Sequence, residues 1–195
     1  MNEPSRRRYS MARRSAQVEA TKERIRSAAI QLFAEKSYDF TLKEVAKAAQ
    51  TTVQTVLRLF HSKEALANLA LETGEPIFAY PEAPPGNVAS AIKQLYDAYE
   101  ATGDRLLRQI GAERLHPNLV PRIEAARAAH RTWLEKIFAP QLGTRSGPAH
   151  QSLLYGLLIA TDPQVWKLLR RDQGLYRGVA EAMIRHIVNA LLRAY

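Results

Sequence analysis

Cysteine is absent from all 195 residues, which excludes disulfides, thiolate metal sites and a cysteine nucleophile. Glycine is absent from residues 1 to 73, so no turn in that stretch can draw on it. Long apolar runs are missing too. The longest, Leu153 to Ala160, is interrupted by Gly156 and is far too short to span a bilayer. The opening residues MNEPSRRRYSMARRS carry arginines but no apolar stretch, so they do not read as a secretory signal. These absences predict a soluble, cytoplasmic protein with no membrane partner.

Signs of an enzyme are also lacking. The five histidines (His61, His116, His130, His150 and His186) show no metal-ligand spacing. There is no glycine-rich phosphate loop and no G-x-S-x-G elbow. The sequence therefore predicts no catalytic residue, no metal and no cofactor. No stretch alternates as a strand would, and there is no internal repeat.

What is present is helix, apolar residues at 46% and a formal charge of +9, with a pI near 10.0. That balance favours an anionic partner, with nucleic acid ahead of membrane. The charge is spread, however. Residues 1 to 80 hold 13 Lys/Arg against 9 Asp/Glu, and residues 81 to 195 hold 15 against 10. The second half reads as a basic but solvated surface.

Residues 41 to 66, TLKEVAKAAQTTVQTVLRLFHSKEAL, read as two short helices joined by a tight turn, with a third helix following. Thr41 and Glu44 have the spacing of a capping box. Leu42, Val45, Ala46 and Ala49 recur at helical spacing, and Gln50-Thr51-Thr52-Val53 breaks that pattern. Val53, Val56, Leu57 and Phe60 begin another, and Ser62 caps the next helix. A helix-turn-helix lays its first helix across the DNA backbone and its second in the major groove.

Around this motif the sequence predicts an all-α protein. Residues 1 to 15 read as a flexible basic arm. Arg6, Arg7, Arg8, Arg13 and Arg14 would follow DNA phosphates or serve as a solubilising tail. Residues 16 to 74 form a three-helix DNA-binding domain, with a first helix from about Ala16 to Glu35 and Tyr38 and Phe40 packing under the motif. Residues 74 to 87, GEPIFAYPEAPPGN, hold four prolines and two glycines and mark the junction. Residues 75 to 195 are helical in pattern. One helix covers Val88 to Ala101 and a short one restarts at Gly103-Asp104. A long helix follows Pro121, a Gly/Pro loop covers residues 139 to 148, and a helix runs from His150 to Ala160. Asp162-Pro163 opens a helix to Arg171, and the last helix spans Leu175 to Ala194.

Residues 18 to 72 resemble the DNA-binding domain of the TetR family of transcriptional regulators. The similar pieces are AAIQLFAEKSYDF, Thr41-x-x-Glu44-Val45-Ala46, Thr55 with Arg58 and Phe60, and Ser62-Lys63-Glu64-Ala65-Leu66. The segment TDPQVWKLLRRDQGLYR looks like the carboxy-terminal region of one subgroup. The resemblance implies an all-helical homodimer on a two-fold operator, with an inducer pocket in the second domain. This chain departs from the family where Gln50 replaces a glycine, Leu57 and Leu59 stand at aromatic positions, and His61 replaces a proline. Leu57 cannot donate the phosphate bond that a tyrosine commonly makes there.

The expected DNA contacts are Thr41, Thr51, Thr52, Gln54, Thr55, Arg58 and Lys63. Gln pairs bidentately with adenine and Arg with guanine, and a Thr methyl meets a thymine methyl. Gln54, near the helix start, is the favoured base reader. Thr41 and Lys63, at helix N-termini, suit phosphate. Val53, Val56, Leu59 and Phe60 are expected in the core.

In the second domain the helices at 150–160 and 175–194 read as a homodimer interface. Val179, Met183, Ile187 and Leu191 make a stripe that Ile184, Val188 and Leu192 widen. Tyr96, Tyr99, His130, Trp133, Phe138, Tyr155 and Trp166 are the candidates for lining a pocket for a small-molecule inducer. The expected function is a ligand-responsive regulator, a repressor before an activator. The alternatives are a helical dimer that binds small molecules or proteins with weakened DNA binding, a non-specific architectural DNA binder, and an enzyme with a site assembled from distant residues.

Overall fold

The computed structural model describes residues 3–73 and 76–195, with side chains from Arg13 onward. Among the described residues there is no strand, and no helix is long and apolar enough to cross a membrane. The chain divides into two compact units, residues 1–75 and 76–195. The 74/75 boundary expected from sequence falls on residues outside those described.

In the first unit, α1 spans Glu3–Lys36. It starts a dozen residues earlier than the helix expected from Ala16, so residues 3–15 continue the helix instead of forming a loose arm. Pro4 is tolerated in a first turn, and the Arg, Met and Ala residues after it are good helix formers. The side chains of Arg6, Arg7 and Arg8 lie outside the described residues; Arg13 and Arg14 are exposed. Ile25, Ala28, Ala29 and Phe33 form the buried stripe of α1.

A short 3-10 turn (Ser37–Asp39) follows, and then α2 (Leu42–Ala48), α3 (Val53–Phe60) and α4 (Lys63–Glu72). Phe33 meets Tyr38 edge-on at 5.3 Å and Phe40 at 6.5 Å. With Val45, Val56 and Leu66 fully enclosed, this cluster is the core on which the motif rests. Val53, Leu59 and Phe60 are only half-buried, so the core takes one residue of α3 completely and the rest by an edge.

The second unit opens with an irregular segment whose Ile77 and Phe78 are buried. Helix α5 then runs unbroken over Val88–Ala112, capped by Asn87. The expected restart at Gly103 does not occur. That glycine faces the Trp166 ring, and a Cβ there would come within 2.7 Å of it. Its role is close packing, not interruption.

Helix α6 (Val120–Ile137) follows a short turn at Pro117–Leu119. The stretch read as a loop contains α7 (Ala139–Leu142) and the start of α8 (Gly147–Ala160), because Pro140 and Pro148 each sit in a first turn, where no NH is needed. Asp162 accepts the Gln164 NH at 2.7 Å and opens α9 (Pro163–Lys167). The chain then widens into a π turn over Leu168–Asp172, closed by Gln173 NH on the Leu168 carbonyl at 2.9 Å.

Two arginines of that turn reach α5. Arg170 grips Glu100 at 2.5 and 3.0 Å, and Arg171 grips Asp104 at 2.9 Å while lying 4.5 Å over Trp166. Gly174 ends the segment at φ +65. Helix α10 (Arg177–Ala194) begins two residues later than expected.

Candidate nucleic-acid interface

The turn between α2 and α3 is built by backbone bonds. Gln50 NH reaches the Lys47 carbonyl at 3.2 Å, and Thr51 NH reaches the Ala46 carbonyl at 2.9 Å. This pair is a Schellman motif, which needs a left-handed residue between helix and turn. Gln50 supplies it at φ +50. Arg24 of α1 adds its Nε to the Ala49 carbonyl at 3.1 Å, tying α1 to the end of α2.

Helix α3 begins on Thr52, whose hydroxyl accepts the Thr55 NH at 3.2 Å and also bonds the Thr55 hydroxyl at 3.1 Å. One of the two hydroxyl protons lies between the oxygens, which leaves the other free to donate outward. Thr51 is half-buried and Thr52 is exposed. Gln54 and Arg58, one turn apart, are both exposed and make no hydrogen bond or ion pair among the described residues. Leu57 lies beside them, 39% exposed. The outer face of α3 is therefore two polar side chains with free hydrogen-bonding groups around one leucine.

The helix ends at an unusual corner. His61 takes φ +67 and ψ −46, and Ser62 NH closes on the Phe60 carbonyl at 2.8 Å. A three-residue turn of this hand is rare and strained, and a proline, fixed near φ −65, cannot occupy it. Lys63 follows at the start of α4, half-buried, with its Nζ 5.3 Å above the Phe40 ring.

Thr41 is placed differently from a free phosphate donor. Its hydroxyl accepts the Glu44 NH at 3.2 Å and donates to the Glu44 carboxylate at 2.9 Å, while its own NH donates to the same carboxylate at 2.8 Å. The Glu44 carboxylate also takes the Lys36 ammonium. Lys36 first, and then the Thr41 NH and hydroxyl, hold the Glu44 carboxyl down at about 2. A phosphate at this helix end meets an anion already in place.

The second unit contains a cavity of about 230 Å³. Its apolar wall includes Ile77, Leu106, Ile110 and Ile123, and its polar side includes Tyr80, Arg127, His130, Asp162 and Gln164. Tyr80 stacks on His130 at 5.0 Å, nearly parallel. His130 Nε2 bonds the Thr161 hydroxyl at 2.8 Å, and that hydroxyl donates to the Leu157 carbonyl at 2.7 Å. The Thr proton being used, Nε2 carries the hydrogen of a neutral ring. Burial pushes the His130 pKa down to about 4. Arg127 is held by both oxygens of Glu113 at 2.8 and 2.7 Å.

Of the aromatic candidates, His130 lines this cavity and the others do not. Tyr99 is enclosed, its hydroxyl donating to the Thr161 carbonyl at 2.8 Å. Tyr96 and Phe138 are core. Trp133 donates to the Pro81 carbonyl at 2.7 Å, and Trp166 donates to Glu100 at 3.0 Å. Tyr155 points outward, 53% exposed. Tyr99, Trp133 and Trp166 thus satisfy their polar tips inside the monomer and Tyr155 faces solvent, whereas the Tyr96 hydroxyl is buried with no hydrogen-bond partner among the described residues. The residues that sequence reasoning missed carried other signals: Asp162 reads as a helix cap, and Tyr80 sits in the proline-rich junction.

On α8 and α10 an apolar face is bare. Tyr155 and Ile159 of α8 and Val179, Met183 and Ile187 of α10 are all 40% exposed or more. Ile184 and Val188 do not widen it, because both are buried in the monomer with Ala180. Leu191 is half-buried and packs on Gly156, where a Cβ would come within 3.0 Å.

Residues 25–70 match the family model described as bacterial regulatory proteins, tetR family. Comparison of the chain with curated proteins and with solved structures finds no match.

Proposed function

We propose, on the premise that this chain belongs through residues 25–70 to the tetR family of bacterial regulatory proteins, that it is a ligand-responsive repressor of transcription. It acts as a homodimer on a palindromic operator, without catalysis and in the cytoplasm, where that DNA lies. The observation that carries this reading is the outer face of α3, where Gln54 and Arg58 project with no hydrogen-bond or ion-pair partner among the described residues. A side chain that offers several hydrogen-bonding groups to solvent at this position of the motif is suited to base edges.

Gln54 reads bases and Arg58 reads a base or grips a phosphate one turn later. Thr51, Thr52 and Thr55 line the approach, with the spare hydroxyl proton of the Thr52–Thr55 pair directed to the backbone. Lys63 supplies a positive charge at the start of α4. Thr41 contributes by fixing α2 through its capping box, and its contact with DNA is through shape.

The bare face on α8 and α10 is covered by the same face of a second copy. Two heads held at one spacing then match two half-sites. A ligand in the second unit that favours a different spacing lowers DNA affinity by the coupling free energy that DNA exerts on the ligand. Ile77 and Tyr80, which enter the cavity wall, follow the DNA-binding unit directly in sequence.

Selection of the full-length protein on random duplex DNA at physiological salt tests the reading. Recovery of a two-fold sequence is expected. Recovery of random DNA, or binding that an excess of random DNA removes, would show an architectural binder or a head with weakened DNA binding.

A further inference from the structure

The cavity of the second unit has a size and a charge pattern that narrow what it takes, given the ligand-responsive reading above on which this step rests. An apolar cavity of about 150 Å³ accepts benzene, so one of about 230 Å³ suits a molecule of one or two rings. Ile77, Leu106, Ile110 and Ile123 offer such a body an apolar wall, and the stacked Tyr80–His130 pair forms part of the lining.

The polar side holds two formal charges, and they stand differently. Arg127 is already neutralised by its two short bonds to Glu113. Asp162 has no ion-pair partner among the described residues; its carboxylate accepts one backbone NH, from Gln164. Burial raises the Asp162 pKa, and the Gln164 NH and the charge of Arg127, which is bonded to Glu113, offset only part of that rise. His130 is neutral and its bonded nitrogen is the donor, so its Nδ1 is an acceptor, with no hydrogen-bond partner among the described residues. The side therefore offers acceptors and a negative charge in excess, because the single Arg127 guanidinium faces both Glu113, which it bonds, and Asp162, and it lacks a free cationic donor.

We propose that the cavity binds a small aromatic amine or similar organic cation, with its charged nitrogen on Asp162 and its rings against the isoleucine and leucine wall. The aromatic faces of the lining favour a cation over a neutral ring of the same shape.

Calorimetry with the full chain and three isosteric probes, without DNA, tests this. The probes are 2-naphthylmethylamine, 2-naphthylmethanol and 2-naphthoate. The amine is expected to bind about tenfold or more tighter than the alcohol, the scale of one charged hydrogen bond, and the carboxylate most weakly. Asp162→Asn keeps the helix cap, because Asn caps as well as Asp. It should bring the amine down to the level of the alcohol while leaving the alcohol unchanged.

Equal binding of amine and alcohol, preference for the carboxylate, retention of the amine preference in D162N, or no binding by any probe would each overturn the proposal. The wild-type ranking alone decides the matter should D162N fold poorly. Since no DNA is present, a negative result here leaves operator selection unaffected, and a failed selection leaves the ranking of probes unaffected.

Discussion

Gln50 occupies a left-handed position that costs a non-glycine residue about 1–2 kcal/mol. Gln50→Gly should therefore raise stability by about 1 kcal/mol, part of the relief being offset by greater freedom of the unfolded chain, as read from the urea midpoint. A fall in midpoint would show that the Gln side chain itself supports the turn. On the DNA face, Gln54→Ala should relax base preference in a selection. Lys63→Ala should weaken all sequences evenly and reduce the salt slope by about 1. Full operator preference in the Gln54 variant would remove that residue from base reading. His130 carries a pH dependence whose sign is fixed by burial. Its folded value, about 4, lies below the ordinary 6.5. The unfolded chain thus takes up the proton first, and stability is lost as pH falls from about 6.5 towards 4. Urea midpoints over that window should decline less steeply in His130→Gln; an equal slope would rule His130 out.

Among the elements, those set by local chemistry were legible and those set by distant packing were not. The capping box at Thr41, the cap at Ser62 and the Asp162-Pro163 helix start are local pairs, and the structure has all three. Gly103 is the counter-example. In sequence it reads as a break, but the reason for it is a ring 63 positions away. Gly103→Ala forces a Cβ into Trp166 and should cost about 1–3 kcal/mol, measured by thermal melting. An unchanged melting point would show that the ring can move aside. The stripe on α10 was half legible. Helical spacing groups Val179, Met183 and Ile187, but spacing cannot say that Ile184 and Val188 already have neighbours within the monomer. The cavity was least legible of all, because its lining comes from the junction, α5, α6 and the α8–α9 connection, and no single segment contains its pattern.

For the whole molecule, the dimer proposed on the bare face of α8 and α10 would tie assembly to DNA recognition. Met183→Glu places a charge in the centre of that face, where a second copy would bury it without a partner. The variant should sediment as a monomer and lose operator binding while keeping its helical spectrum. A dimer that persists would move the interface elsewhere. One head alone meets a single half-site, so losing the partner should cost far more affinity than losing any one contact on α3.

The π turn at Leu168–Asp172 has a consequence for sequence length. It closes over five residues where an ordinary helix closes over four, so this stretch carries a surplus position. Removing one residue there would let the coil tighten into regular geometry. Arg170 and Arg171 would then swing round the axis away from Glu100 and Asp104. The extra residue is what aims both guanidinium groups at the same neighbouring helix, and a one-residue deletion would unclasp that junction while making the local backbone more regular.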